Sequence, residues 1–132
     1  MYGGINTVAM NLNLNKYIWL IFLLIFSSHT VSEEKTITYK CTGLSQFELI
    51  GASGIKEELN IRDYKFIDGM LHDLNKIQCN WANNFIKCES NFLNIRKLSI
   101  NLKNNKVTDY ISGNKGFGVY VENFKGKCEH KN

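Results

Sequence analysis

The stretch that decides the fold is residues 77–90, which read IQCNWANNFIKCES. Asn tolerates a positive φ, so Asn83-Asn84 can form a two-residue type I′ turn between antiparallel strands. In that register Cys79 faces Cys88 at a non-hydrogen-bonded pair, where Cα atoms lie about 4.5 Å apart, within the range of a disulfide. The same register gathers the apolar residues and both cysteines on one face. The sequence therefore predicts a β-hairpin closed by a Cys79–Cys88 disulfide.

The two remaining cysteines, Cys41 and Cys128, are expected to form a second disulfide. They would tie a first strand at residues 36–42 to a last strand at 119–128, and so protect two exposed sheet edges. No C-x-x-C pair occurs, which argues against a zinc site. Four cysteines allow two other pairings, and the sequence alone leaves these open.

A second hairpin is predicted in residues 98–111, which read LSINLKNNKVTDYI. A two-residue turn at Asn104-Asn105 would set Ile100 opposite Asp109 and Leu98 opposite Ile111. Asp109 is then a carboxylate on an otherwise apolar face. Three explanations stay open: a bulge turns it outward, it lies at the sheet edge, or it is a buried functional acid.

Other segments give weaker signals. Asp68-Gly69 is a hairpin turn signal that follows a strand at residues 61–67. Residues 70–77 have apolar side chains at helical spacing but lie between two strands, which predicts a loop or one helical turn. Residues 55–61 fit a strand or a short helix. The expected fold is mainly all-β: a small antiparallel meander closing toward a barrel or sandwich, with two disulfides and room for one short helix.

The N-terminus, residues 1–32, has the pattern of a secretory signal peptide, and Met10 is a plausible true start. Residues 17–26 are ten consecutive apolar residues, too few for a bilayer-spanning helix of about 20. Small and polar residues follow, with cleavage expected after Ser32 or, as an alternative, after Ser28. An uncleaved, membrane-anchored leader stays open. Cleavage would leave one disulfide-stapled domain, residues 33–132, in the periplasm or secreted, with no membrane span.

The charge is mild. The chain carries a net charge of +4, and basic and acidic residues alternate along most of it. A nucleic-acid-binding protein would show a denser basic stripe, so no nucleic-acid partner is predicted. The expected partner is an unknown protein or a component of the cell envelope.

Few residues are candidates for catalysis. His72 and Asp73, with Asp68 nearby, could form an acid–base or metal site of a small exported hydrolase, but the expected explanation is a solvated loop histidine. There is no G-x-S-x-G motif, and disulfide-bonded cysteines cannot act as nucleophiles. No catalytic residue, metal or cofactor is assigned, and whether the protein is an enzyme stays open.

The most unusual stretch is residues 112–118, SGNKGFG. A phosphate-binding Gly-rich loop normally precedes a helix, whereas an apolar strand follows here. The alternatives are a flexible hairpin loop or a protruding loop that offers Lys115 and Phe117, flanked by Gly116 and Gly118, to a partner.

These features favour an exported binding module, such as an inhibitor or an envelope-interaction protein, that uses residues 112–118. The alternatives are a hydrolase or metal-dependent enzyme built on His72 and Asp73, and a structural component that is secreted or belongs to the envelope.

Overall fold

The computed structural model describes Tyr17, Ile18, Ile21 and residues 32–132. The first three are helical and exposed. The rest of the predicted leader lies outside the described residues, so the signal peptide and its cleavage stay predictions. Residues 34–132 form one compact unit. Nowhere in the described part of the chain is a helix long and apolar enough to cross a membrane.

Residues 36–131 form a single nine-stranded antiparallel sheet that curls into a nearly closed barrel. The order across the sheet is β4-β3-β2-β1-β9-β8-β7-β6-β5. This confirms the all-β meander and, of the two expected architectures, favours the barrel. The strands are β1 (Thr36–Leu49), β2 (Ile55–Ile67), β3 (Met70–His72), β4 (Lys76–Ile77), β5 (Cys79–Trp81), β6 (Phe85–Ser90), β7 (Ile95–Asn101), β8 (Lys106–Asn114) and β9 (Val119–Lys131).

The first hairpin has the predicted register. Cys79 pairs with Cys88, and the two form a disulfide. The turn type is wrong, however, because neither Asn83 nor Asn84 is among the described residues with positive φ. The N–H of Leu102 donates to the carbonyl oxygen of Asn84 at 2.8 Å. The neighbouring hairpin therefore also shapes this turn.

In the second hairpin the observed register differs from the predicted one by two residues. Leu98, not Ile100, faces Asp109, and residues 102–105 form a longer turn. The cause is the Asn101 side chain, whose Oδ1 accepts hydrogen bonds from the N–H groups of Lys103 and Asn104 at 2.9 and 3.3 Å. A shift of two residues preserves the faces, so Asp109 still points inward. No bulge turns Asp109 outward, and its strand lies inside the sheet.

The region predicted as a loop or helical turn is a pair of short strands, so the allowance for a helix is wrong within residues 32–132. Asp68 and Gly69 both have positive φ, as a type I′ turn requires, and lead from β2 into β3. Leu71 and Ile77 then face each other across β3 and β4, and both are buried. Their spacing imitates a helix because a turn brings them onto one face of a sheet.

The second disulfide joins Cys41 of β1 to Cys128 of β9, as predicted. These strands pair along most of their length in the middle of the sheet. The expectation that they are exposed edges is therefore wrong, and β4 and β5 are the edge strands. Both disulfides lie on the inward face, within a core of Cys41, Tyr64, Phe66, Leu71, Ile77, Ile86, Cys88, Leu98, Ile100, Val107, Phe124 and Cys128.

Trp81 of β5 contacts the β2–β3 hairpin across the gap where the barrel is not closed by backbone pairing. The indole Nε1 of Trp81 donates to the carbonyl oxygen of Gly69 at 2.8 Å. The Trp81 ring also packs edge-on against Phe66, with ring centroids 5.2 Å apart. These contacts hold β5 against the β2–β3 hairpin, with which β5 has no backbone pairing.

Gly43 and Gly126 face each other where β1 and β9 approach most closely. A Cβ on Gly43 would lie 2.1 Å from the carbonyl oxygen of Lys125, so the backbone would have to move. We expect Gly43→Ala to lower the free energy of unfolding by about 1–3 kcal/mol, as overpacking does. Urea denaturation measures this, with Thr42→Ala on the exposed face as the control. Equal stability of the two variants would contradict the close packing.

Candidate functional site

The centre of the barrel holds a buried carboxylate, Asp109 of β8, whose side chain is 0% exposed. The Tyr64 hydroxyl donates to its Oδ2 at 2.8 Å. Arg96 donates from Nε to Oδ1 at 3.2 Å and from Nη2 to Oδ2 at 3.0 Å, a two-pronged contact. Arg62 donates from Nη1 to Oδ2 at 3.3 Å. Two guanidinium groups therefore compensate one buried negative charge.

Both arginines bind a further carboxylate toward solvent. Arg62 contacts Glu122 and donates to the Ser45 hydroxyl at 3.1 Å, and its guanidinium lies 4.6 Å from the centre of the Phe124 ring. Arg96 contacts Asp73 in the β3–β4 turn. We call Ser45, Arg62, Tyr64, Asp73, Arg96, Asp109 and Glu122 the interior charge network. Because β2 and β8 are not neighbours in the sheet, the network crosses the barrel.

Strand alternation concentrates the charges at one end of the barrel. On β2, Arg62 precedes the inward residues Tyr64 and Phe66, and on β7, Arg96 precedes Leu98. The apolar core fills the other end. The barrel interior is therefore charged at one end and apolar at the other.

The network shifts the protonation equilibria of its members. Burial, and then the charge of Asp109, raises the pKa of Tyr64 far above its ordinary value, so this phenol stays protonated. Burial alone would lower the pKa of Arg96, but the hydrogen bonds and charges of Asp109 and Asp73 outweigh it and raise that pKa. Burial likewise opposes the ionisation of Asp73, but the hydrogen bond and charge of Arg96 prevail and lower its pKa.

The network is also fully satisfied: no buried side-chain nitrogen or oxygen lacks a partner within the described residues. Each charged group is held by an opposite charge rather than offered to a substrate. Removal of any one charged member would therefore leave an uncompensated charge in the interior.

Three turns converge at the charged end of the barrel, and we call them the rim: residues 73–75, 91–94 and 115–118. Residues of all three turns line a cavity of about 230 Å³. A neighbouring cavity of about 290 Å³ lies against Arg62 and Arg96. Asp73, Arg96, Ile111 and Glu122 line both cavities, so the interior charge network forms their shared floor.

The rim exposes four large apolar side chains: Leu74 (97% exposed), Phe92 (74%), Leu93 (77%) and Phe117 (62%). Leu74 and Phe92 also line the smaller cavity. Leu93 has a φ of 63°, which is strained for a branched side chain. The rim therefore exposes apolar side chains beside a cavity with a charged floor.

The predicted partner-binding residues lie in this rim, in a turn shorter than expected, because residues 112–114 belong to β8. Lys115 lines the rim cavity, with its Nζ 4.6 Å from the centre of the Tyr120 ring. Phe117 is exposed in the same turn, and Gly116 and Gly118 supply the positive φ values that the turn needs.

His72 and Asp73 do not form a catalytic pair in the structure. The Asp73 carboxylate accepts from Arg96, and His72, although it lines the larger cavity, makes no hydrogen bond to Asp73. In the part of the chain that the structure describes, no three His, Cys, Asp or Glu side chains come together as metal ligands. The hypothesis of a hydrolase or metal-dependent enzyme stays a prediction without a supporting geometry.

Sequence reasoning missed the two arginines and the apolar residues 74, 92 and 93. One signal was available: Arg62 and Arg96 are the only arginines among 16 basic residues. Arg suits buried bidentate pairing with carboxylates better than Lys does. Because all the other basic residues are Lys, the two Arg residues indicate the positions where this geometry is needed.

No protein family model, no curated protein and no solved structure matches this chain.

The charge balance at Asp109 gives a stability prediction. Asp109→Asn leaves two buried guanidinium groups facing a neutral amide, and we expect a loss of about 3–5 kcal/mol in the free energy of unfolding. Asp63→Asn, which removes an exposed partner of Lys131, should cost less than about 1 kcal/mol. Urea denaturation at neutral pH compares the two. A loss at Asp109 no larger than that at Asp63 would contradict a buried ion network.

The lowered pKa of Asp73 gives a pH prediction. An unfolded Asp takes up a proton near pH 3.9, whereas folded Asp73 does so only at lower pH. The stabilisation by Asp73 is therefore present above about pH 4 and is lost as the pH falls through the folded pKa. We expect the stability difference between the wild type and Asp73→Asn to shrink in acid. Thermal unfolding from pH 7 to 2 measures it, and a constant difference would refute the prediction.

Proposed function

We propose that this protein is a non-enzymatic binding module that captures a partner protein at the rim. The observation that carries the proposal is the rim, which exposes Leu74, Phe92, Leu93 and Phe117, and in which Leu74 and Phe92 line a cavity with a charged floor. Soluble proteins rarely keep large apolar groups together in water without an interaction that uses them. Aromatic side chains in such positions commonly act as anchors of protein interfaces.

The scaffold supports this role. The rim turns are short connections between strands, and the interior charge network lies beneath them, so the apolar side chains are presented by a rigid base. A binding surface that is already ordered loses less conformational entropy when a partner arrives. Leu93 in particular is held in an unfavourable backbone conformation, which is typical of residues kept for function.

The charges of the rim suggest what the partner presents. Arg96 is neutralised by Asp109 and Asp73, and Arg62 by Asp109 and Glu122. Lys115 takes part in no ion pair among the described residues, and its Nζ lies over the face of the Tyr120 ring. We infer a protein surface with a protruding apolar side chain beside a carboxylate, the first for the cavity and the second for Lys115.

The compartment is also part of the proposal. Two disulfides fit an oxidising environment, such as the periplasm or the exterior of the cell. There the module would act as an inhibitor or as an envelope-interaction protein.

Capture of the partner tests the rim. The triple variant Phe92→Ser, Lys115→Ala, Phe117→Ser removes two anchors and the free cation, and we expect it to retain less than about a tenth of the captured partner, since each anchor is worth 1–2 kcal/mol or more. The readout is quantitative mass spectrometry of proteins captured from an extracytoplasmic extract. The melting temperature should stay within a few degrees, because all three side chains lie at the surface.

Phe85→Ser is the matched control, because Phe85 is an exposed aromatic residue that lies outside the rim and outside strand β2. This control should capture the partner as the wild type does. Undiminished capture by the folded triple variant would rule out the rim as the binding site.

A further inference from the structure

Strand β2 has a long unpaired edge. It pairs with β1 from Ile55 to Ile67, but on its other side β3 covers only residues 65–67. Among the residues that the structure describes, no strand pairs with the outer edge of residues 55–63. An exposed edge of this length is a template for another strand.

The alternation of hydrogen bonding tells which residues face this edge. Ile67 and Met70 flank the two-residue turn at Asp68-Gly69 and so form a hydrogen-bonded pair toward β3. The odd-numbered residues of β2 therefore direct their N–H and C=O groups to the open side. The N–H of Ile61 confirms the direction, because it bonds to the side-chain Oδ1 of Asn60 at 2.9 Å instead of to a strand.

The edge is protected only in part. Natural edge strands are usually short, bulged, or carry Pro or charged residues. Five of residues 55–63 are charged, but apolar residues lie between them. Here the outward-facing Ile55, Leu59 and Ile61 are 57%, 81% and 59% exposed, and Leu44 on the adjoining strand adds to the same face. The chain contains no Pro, and Lys56 is the only Lys in residues 55–63.

We propose that this edge pairs with the same edge of a second copy of the chain, antiparallel about a two-fold axis at Glu57. In this register Ile55 faces Leu59 and Lys56 faces Glu58, and the symmetry makes each pair occur twice. Apolar and opposite-charge pairs are both favourable across strands. Lys56 and Glu58 form no ion pair with any described residue of their own chain, so both are free for the partner copy.

Neighbouring registers are less favourable. An axis at Leu59 would set Lys56 against Arg62, whose charge Asp109 and Glu122 already neutralise, so Lys56 would face no acidic partner. An axis at Asn60 would set Glu57 against Asp63. Like charges directly opposite each other destabilise a strand pair. The Glu57 axis has one such contact, between the two copies of Glu57, and each carboxylate there accepts a hydrogen bond from Gln46 at 2.7 Å.

Sedimentation velocity of the purified, oxidised protein over a range of concentrations tests this dimer. The wild type is expected to dimerise, and Leu59→Lys to raise the dissociation constant at least tenfold. Lys56→Glu and Glu58→Lys should each weaken the dimer similarly, because each places like charges opposite each other twice. The charge swap, Lys56→Glu with Glu58→Lys, should restore the dimer, and melting temperatures confirm that every variant is folded.

Leu74→Lys is the control, since Leu74 is the most exposed apolar residue of the rim and lies outside β2. It should leave the dimer intact, so the dimer and the rim proposal can fail separately. A wild type that stays monomeric at millimolar concentration would overturn the inference. So would a dimer that persists in all edge variants, because they share every other part of the chain, including its N-terminal residues.

Discussion

The buried charge of Asp109 is the constraint on which the rest of the structure depends. A carboxylate withdrawn from water is tolerated only when opposite charge and hydrogen bonds replace the solvent. Arg62, Arg96 and Tyr64 supply both, and they come from β2 and β7. β2 and β7 must therefore each keep the register that points these side chains into the barrel interior. The disulfides fasten neighbouring strands, whereas this network ties strands together across the barrel.

One ion pair joins the rim to the same network. Arg96 binds Asp73 of the β3–β4 turn, where Leu74 belongs to the rim. Because the chain turns after His72, β3 covers β2 for only three residues and leaves the remainder of that strand unpaired. The β3–β4 turn thus lies between the proposed partner-binding surface and the edge proposed for dimerisation.

Local chemistry made part of the fold predictable. The Cys79–Cys88 hairpin and the Asp68-Gly69 turn depend on residues close in sequence, and both were predicted from sequence. The register of the second hairpin depends on a side-chain hydrogen bond from Asn101, which a polarity pattern does not reveal. The partners of Asp109 lie 47, 45 and 13 positions away, and the rim joins three distant turns. Only Lys115 and Phe117 gave a local signal, in their Gly-rich turn.

The most direct test of this account is the exchange rate of the arginine side-chain protons in solution. The chain has only two arginines, so a ¹⁵N-labelled sample gives two Nε–H signals. We expect the Nε–H of Arg96, bonded to buried Asp109, to exchange with water much more slowly than the Nε–H of free arginine. Exchange as fast as in free arginine would contradict the interior charge network.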